Sequence, residues 1–128
     1  KSALIFSYGQ YIFKEILNST KFLKSKNIFP KIINMSSLNK FNKKWLKMIT
    51  KNYKHIFTID DHSEIGGLGD NLLNEFNRLG VLKNKTFFKI GVKEFPKCGT
   101  IEEVLKYHQL DAKSLAKQII EKINSYEN

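Results

Sequence analysis

The apolar residues of this chain alternate between short continuous runs and helical spacings. Four short runs, over residues 3–6, 31–34, 55–59 and 86–90, predict buried β-strands. Between and after them, apolar residues recur every three or four positions, which predicts helices over 10–25, 41–52 and 68–79, a short helix after Thr100 and a last helix from Asp111 to about Asn124. Strands that alternate with helices predict an α/β fold, with a parallel sheet covered on both faces.

The length fits one domain. We assign residues 1–124 to it and expect the polar tail, residues 125–128, to fray. The pattern contains no internal repeat, low-complexity segment or interdomain linker.

The stretch from residue 57 to residue 69 is the centre of the pattern. Asp60-Asp61-His62 follow the predicted strand over residues 55–59, three glycines come next within four residues, and a helix then begins that Gly80 should end. The glycines accept positive φ and allow close approach of the backbone, and the nearby acidic side chains balance the partial positive charge of the helix N-terminus.

We weighed three interpretations of this acidic loop. A nucleotide site is disfavoured, because the glycine spacing of a dinucleotide fingerprint and a Gly-Lys-Ser/Thr are both missing and the carboxylates would repel a phosphate. A metal site or a general base with its orienting acid would use Asp60, Asp61 and His62, but three consecutive residues of an extended chain cannot face one point. A solvated or interface-facing loop is the interpretation we favour.

The same stretch resembles the C-terminal domain of the transketolase family of thiamine-diphosphate enzymes. In that family a strand with an acid pair or an acid-His precedes Gly-Gly-x-Gly at the start of a helix, and residues 58–69, Thr-Ile-Asp-Asp-His-Ser-Glu-Ile-Gly-Gly-Leu-Gly, fit this pattern. Asp60 departs from it, since glutamate is usual there.

Other segments extend the resemblance over almost the whole chain. Residues 88–95 resemble the family's strand that ends in glycine and is followed by an acid and a phenylalanine. Residues 98–100 and 105–111 match its glycine and its Leu-x-x-Tyr-Gly-Leu segment, with His108-Gln109 replacing the small residue. Ser7-Tyr8-Gly9 lies where the family has a strand end of the form Thr/Ser-x-Gly.

The resemblance implies a three-layer α/β/α fold with strand order 2-1-3-4. It also implies an additional antiparallel strand upstream of Ala3, for which this chain has no residues. Without it, the edge strand at 31–34 is open or is covered by a partner. The switch point of this order lies between the first and third strands. It should bring together the candidate interface residues Ser7, Gly9, Asp60, Asp61, His62, Gly66, Gly67 and Gly69.

The function implied by the resemblance is that of a transketolase C-terminal domain, with a structural role and contacts to a dimer or subunit. The whole enzyme would transfer a two-carbon ketol unit between sugar phosphates. This chain would supply no catalytic, cofactor-binding or metal-binding residue, and thiamine diphosphate and Mg²⁺ would be held elsewhere in the parent enzyme. The implied partners are the rest of the transketolase chain or a thiamine-binding subunit, in a parent enzyme that is a homodimer. A deoxyxylulose-phosphate synthase or the β subunit of a 2-oxo-acid dehydrogenase is a weaker match.

The alternative is a non-catalytic binding module that uses the acidic glycine-rich loop or a lysine-rich face. The net charge is +10, from 22 basic and 12 acidic residues. Only Arg78 among the basic residues is arginine, whose planar guanidinium favours base and phosphate recognition, so nucleic acid is disfavoured as a partner.

The single cysteine, Cys98, cannot form an intramolecular disulfide and fits a reducing cytoplasm. We expect it to be a half-buried structural thiol. No run of the sequence reaches the length of a transmembrane helix, so no membrane partner is expected.

Overall fold

A computed structural model of the chain describes residues 1–94 and 97–128. Strands and helices alternate along it, and two helices follow the fourth strand. The elements are β1 (Ser2–Ser7), α1 (Gln10–Lys24), β2 (Phe29–Asn34), α2 (Lys43–Thr50), β3 (His55–Ser63), α3 (Leu68–Leu79), β4 (Thr86–Val92), α4 (Ile101–Tyr107) and α5 (Ala112–Glu127).

The four strands form one parallel sheet in the order β2-β1-β3-β4. Ile5 of the central β1 lies opposite Ile32 of β2 and Phe57 of β3. This confirms the predicted α/β class and the strand order 2-1-3-4. The carboxyl ends of β1 and β3 therefore lie side by side at the switch point.

Two hydrophobic clusters lie on opposite faces of the sheet, because successive side chains of a strand point to opposite faces. Ala3 and Ile5 belong to the cluster that α1 and α5 cover, whereas Leu4 and Phe6 belong to the cluster that α2 and α3 cover. All four of these side chains are fully buried. Burial on both faces explains why residues 3–6 form a continuous apolar run.

The helix ends follow the local signals in the sequence. Gly80 ends α3 in the left-handed conformation with φ of 66°, as predicted. Thr100 and Asp111 begin α4 and α5, and each side chain accepts a hydrogen bond from the amide three residues ahead. The sequence also indicates an irregular connection over residues 92–100, of which Phe95 and Pro96 lie outside the described residues.

The last helix is longer than predicted, because α5 continues to Glu127 and does not end near Asn124. The fraying of residues 125–128 stays a prediction. The carboxylate of Glu127 lies 3.2 Å from Nε2 of the buried His55 and 2.6 Å from Nζ of Lys1. The ring of Tyr126 packs edge-on against His55. These contacts hold the last turn against the start of β3.

Neither outer edge of the sheet is paired within the described ranges 1–94 and 97–128. The additional antiparallel strand beside β2 stays a prediction. No helix in the same ranges is long and apolar enough to cross a membrane.

Lys85 connects the start of β4 to the end of α2. Its Nζ donates hydrogen bonds to the carbonyl oxygens of Thr50 (2.9 Å), Lys51 (3.2 Å) and Tyr53 (2.7 Å). The last carbonyls of a helix have no partner within the helix, and a cation is favourable at this end of the helix dipole. One ammonium group therefore satisfies the carbonyls where α2 ends.

We predict that Lys85→Met lowers the free energy of unfolding by about 1–3 kcal/mol, since hydrogen bonds to a charged group are lost and partly buried carbonyls remain. Urea denaturation measures the change. Lys83→Met is the matched control, because Lys83 is exposed in the same turn. Equal stability of the two variants would contradict the proposed role of Lys85.

Candidate functional site

The acidic residues lie in the last part of β3 and not in a loop after it. β3 continues through Asp60, Asp61 and His62 to Ser63, and its register with β4 shifts between Ile59 and Ser63. The sequence predicted that the strand ends at residue 59. It missed the extension because acidic residues and histidine are uncommon inside strands.

Asp60 binds the N-terminus of α3. Its side chain is buried, with Oδ1 accepting a hydrogen bond from the amide of Leu68 at 3.1 Å and Oδ2 one from the amide of Gly69 at 3.3 Å. Gly67, the N-cap residue, has no side chain that can do this. Asp60 is therefore not solvated and acts as a helix cap from eight residues upstream, while its place in an interface loop stays a prediction.

Burial raises the pKa of the Asp60 carboxyl above its ordinary value, although the two amide hydrogen bonds act in the opposite direction. The nearby charge of Asp61 raises the pKa further, and His62 lowers it. Burial therefore destabilises the carboxylate form of Asp60, whereas the amides at the start of α3 stabilise it.

Asp70 closes the other end of the glycine-rich turn. Its Oδ2 accepts a hydrogen bond of 2.6 Å from the amide of Gly66, and its Oδ1 forms an ion pair with Lys89 of β4. Both contacts lower the pKa of Asp70, the amide hydrogen bond being the larger cause. Asp70 therefore links the glycine-rich turn to the first turn of α3, and its ion pair with Lys89 links α3 to β4.

Gly69 allows α3 to approach the sheet. A Cβ atom at this position would lie 2.5 Å from Oγ1 of Thr58 and 2.9 Å from a side-chain carbon of Lys89. Gly66 serves the turn differently, because its φ of +77° belongs to the left-handed region, where L side chains are strained. At Gly67 a Cβ would lie 3.0 Å from Oδ1 of Asp60.

Asp61 faces the opposite helix layer. A Cβ placed on Gly9, which precedes α1 with φ of +105°, would lie 3.4 Å from Oδ2 of Asp61. Ser7 is fully buried at the end of β1, and its hydroxyl has no hydrogen-bond partner among the described residues. Consecutive acidic residues thus lie near two helix N-termini, Asp60 at α3 and Asp61 at α1. The structure brings the β1 and β3 ends together, as the strand order predicted.

Asp61 and His62 form an exposed acid–histidine pair. Nε2 of His62 lies 3.3 Å from Oδ1 of Asp61, and the His62 side chain is 85% exposed. Such a pair has the geometry of a base and its orienting acid. Across residues 1–94 and 97–128 no group of three or more His, Cys, Asp or Glu side chains is placed to hold a metal ion.

Sequence reasoning missed two contacts of this region. Lys89 is a charged residue in an otherwise apolar strand. Because buried charges are usually paired, this position was the available signal for an acidic partner such as Asp70. The second contact leaves no comparable signal: the amide of Glu64 donates to the carbonyl of Val92 at 3.2 Å, and a Cβ on Gly91 would lie 2.9 Å from Cβ of Glu64. Cys98, expected to be half-buried, is exposed.

The fold and this region together define a parallel α/β domain with a glycine-rich acidic turn at the topological switch point. The profile of the family described as "Transketolase, C-terminal domain" matches residues 1–115. The chain belongs to the transketolase C-terminal domain family.

Relatives agree with this assignment. A Methanocaldococcus jannaschii protein named "Putative transketolase C-terminal section" is 33% identical over 110 residues, which are 85% of this chain and 33% of the relative. A 1-deoxy-D-xylulose-5-phosphate synthase of Clostridium tetani is 27% identical over 108 residues, or 84% of this chain and 17% of that enzyme.

Among solved structures, "Split gene transketolase, inactive beta4 tetramer" has the same fold, with a TM-score of 0.79 and 21% identity. The match covers 94% of this chain and 39% of that one. The chain thus spans well under two thirds of the length of these proteins.

The first prediction from this geometry concerns the cap. Asp60→Ala should lower the free energy of unfolding by about 1–2 kcal/mol, because the amides of Leu68 and Gly69 lose their acceptor. Urea denaturation at pH 7 measures it. Asp61→Ala, which leaves both hydrogen bonds in place, is the control. A smaller loss for Asp60→Ala than for Asp61→Ala would show that the cap does not stabilise α3.

The second prediction concerns how the stability of the fold depends on pH. A carboxyl group whose pKa is lowered by folding stabilises the fold above the pKa of the unfolded chain, and this contribution is lost as the pH falls through the folded pKa. Asp70 should therefore stabilise the fold at neutral pH and lose this effect below about pH 4. Asp70→Asn should be less stable than the wild type at pH 7 and closer to it at pH 3.

Folding shifts the pKa of Asp60 in the opposite direction from that of Asp70. Its raised pKa means that its contribution is present below the unfolded pKa and decreases as the pH rises through the folded pKa. Asp60→Asn should therefore not reproduce the pH profile of Asp70→Asn. Thermal denaturation between pH 3 and pH 7 compares the variants, and parallel profiles for wild type and Asp70→Asn would contradict the assignment of Asp70.

Proposed function

We propose that this chain forms the C-terminal part of a transketolase-type thiamine-diphosphate enzyme. Its role is to stabilise and contact the assembly in which a two-carbon ketol unit passes between sugar phosphates. The observation that supports this proposal most is the family match over residues 1–115, which includes the acidic turn. In that turn Asp60 and Asp70 are engaged by backbone amides and by Lys89.

We expect the cofactor's metal ion to be held outside the acidic turn of this domain. A Mg²⁺ ion requires oxygen ligands in near-octahedral arrangement. Both oxygens of Asp60 and both of Asp70 already accept hydrogen bonds or an ion pair within the domain. We therefore assign thiamine diphosphate and Mg²⁺ to the rest of the parent chain or to a thiamine-binding subunit.

The names of similar proteins support the dependence on a partner. The solved structure with the same fold is that of a split-gene transketolase, in the form of an inactive β4 tetramer. The named relative from M. jannaschii is a C-terminal section. By analogy, this chain is inactive alone and gains its function in an assembly, with a homodimer of the parent enzyme in the cytoplasm as our expectation.

One other enzyme, deoxyxylulose-phosphate synthase, is the main alternative to transketolase as the parent enzyme. Several similar proteins are named deoxyxylulose-phosphate synthases, although each is less identical than the M. jannaschii relative. We favour transketolase because that relative carries its name and because Gly66-Gly67-Leu68-Gly69 after Asp61-His62-Ser63 resembles transketolase most closely.

We predict that the tagged chain captures a thiamine-binding polypeptide from its native extract. The isolated complex should transfer a two-carbon unit between sugar phosphates when thiamine diphosphate and Mg²⁺ are added, whereas the chain alone should show no activity. Mass spectrometry identifies the partner, and a parallel assay for deoxyxylulose phosphate distinguishes the two enzymes.

An Asp60→Ala, Gly69→Ala double variant controls for capture by an unfolded chain, because it removes the cap and crowds the helix against the sheet. Micromolar binding of thiamine diphosphate to the chain alone would overturn the assignment of the cofactor to the partner. Capture of a partner without any thiamine-dependent activity would favour a binding module.

A further inference from the structure

A cavity of about 200 Å³ lies where the carboxyl end of β4 meets the end of α4 and the side of α5. Its walls are mostly polar. Lys93 and Glu94 follow β4, Tyr107 and His108 lie at the end of α4, and Gln118 belongs to α5. Parallel sheets of this kind bind ligands beyond the carboxyl ends of their strands. The cavity is smaller than the roughly 300–1,000 Å³ of sites for drug-sized molecules, so it fits a small ligand.

Gln109 lines the same cavity from a strained backbone conformation. Its φ is 59°, in the left-handed region. Among the described residues, the other non-glycine residues with positive φ are Asn27 and Asn84, and asparagine tolerates this region better than a residue with a longer side chain. Gln109 follows the end of α4, where glycine is the favoured residue. Because strained residues are concentrated at binding and active sites, Gln109 indicates a ligand site here.

Contacts among the wall residues hold their side chains in place. Nε2 of Gln118 donates a hydrogen bond to the carbonyl of Gln109 at 2.7 Å. Nε2 of His108 accepts one from the amide of Lys97 at 3.2 Å, and the ring of Tyr107 packs edge-on against the His108 ring. Because Nε2 is an acceptor, the proton of the neutral imidazole lies on Nδ1. Groups that are fixed before binding lose little entropy when a ligand binds.

The walls keep donors, acceptors and charges for a ligand. Nδ1 of His108, Oε1 of Gln118 and the side-chain amide of Gln109 make no hydrogen bond to other described residues. Within the same part of the chain, neither Lys93 nor Glu94 takes part in an ion pair. The two charges are of opposite sign, so the cavity has no excess of either.

This combination favours a ligand with several hydroxyl groups. A hydroxyl both donates and accepts, so hydroxyls on neighbouring carbons pair with imidazole, amide and carboxylate groups together. An anion without hydroxyls pairs only with the donors and is repelled by Glu94. The ring of Tyr107, which is 50% exposed, supplies an apolar wall for the carbon chain.

We infer that this cavity binds a short hydroxylated carbon chain, that of a small sugar or of its phosphate ester. His108, Gln109 and Gln118 hydrogen-bond the hydroxyl groups, and Lys93 is the group that a phosphate contacts. The inference goes beyond the proposed function, because it gives the domain a ligand of its own, and it does not depend on the identity of the partner.

The test titrates the isotope-labelled chain with D-ribose, with ribose 5-phosphate and with inorganic phosphate, followed by NMR. Both sugars should shift the amide signals of His108, Gln109 and Gln118 to saturation with a Kd of about 1 mM, whereas inorganic phosphate should not. If ribose 5-phosphate binds more tightly and Lys93→Met lowers its affinity to that of ribose, the ligand is the phosphate ester. Equal affinity for both sugars identifies the free sugar.

Gln109→Gly separates ligand binding from folding. Glycine relieves the strained backbone, so the variant should be at least as stable as the wild type in thermal denaturation. Loss of the amide should weaken the binding of ribose by about fivefold. Lys106→Met is the matched control, because Lys106 is exposed on α4 and does not line the cavity. Its affinity for ribose should equal that of the wild type.

Three results would each overturn the inference: wild-type affinity in Gln109→Gly, no saturable shift with either sugar up to about 50 mM, or saturation by inorganic phosphate alone. These results would leave the proposed function standing, since the titration contains neither the partner nor thiamine diphosphate. Conversely, a failure to capture a thiamine-binding polypeptide would leave the sugar site standing.

Discussion

The hydrogen bonds from the amides of Leu68 and Gly69 to the carboxylate of Asp60 determine the geometry of the carboxyl end of the sheet. They fix where α3 begins relative to the central strand that precedes it. The glycine-rich turn must then span a fixed distance, and Asp70 fixes its other end through Gly66. Because α3 contributes Leu72 and Phe76 to one hydrophobic cluster, the same carboxylate aligns a surface turn with the core.

This arrangement combines two opposing electrostatic effects. Burial opposes the charge of Asp60, and two helix amides favour it. At Asp70 the balance is different, because an amide and Lys89 both favour the charged form and the side chain is partly exposed. The two carboxylates thus contact one turn from opposite sides with opposite pH dependence.

Much of the fold could be predicted from the sequence, because its signals are local. Apolar runs locate the strands, helical spacing locates α3, and Gly80 and Asp111 mark helix ends through their own backbone or side chain. The resemblance to a known family supplied the strand order.

The role of Asp60 could not be predicted in this way, because a cap normally lies at the helix start and this one lies eight residues upstream across a turn. The same distinction explains the other errors. The last turn of α5 is polar in sequence, and its contacts are with residues far away in the chain, His55 and Lys1. For the candidate site, the sequence identified the residues at the switch point but not the division of labour among them: Asp60, Gly67 and Gly69 build the turn, whereas Asp61 and His62 remain accessible at its side.

The contacts of Asp60 and Asp70 thus define a preformed turn at the carboxyl end of the sheet. Amide hydrogen exchange in the isolated chain, followed by NMR, is the most direct test of that preformed state. We predict that the amides of Gly66, Leu68 and Gly69 exchange slowly, with protection similar to that of amides in the centre of β3. Exchange at the rate of an unstructured peptide would show that Asp60 and Asp70 do not hold the turn, and would contradict a preformed turn.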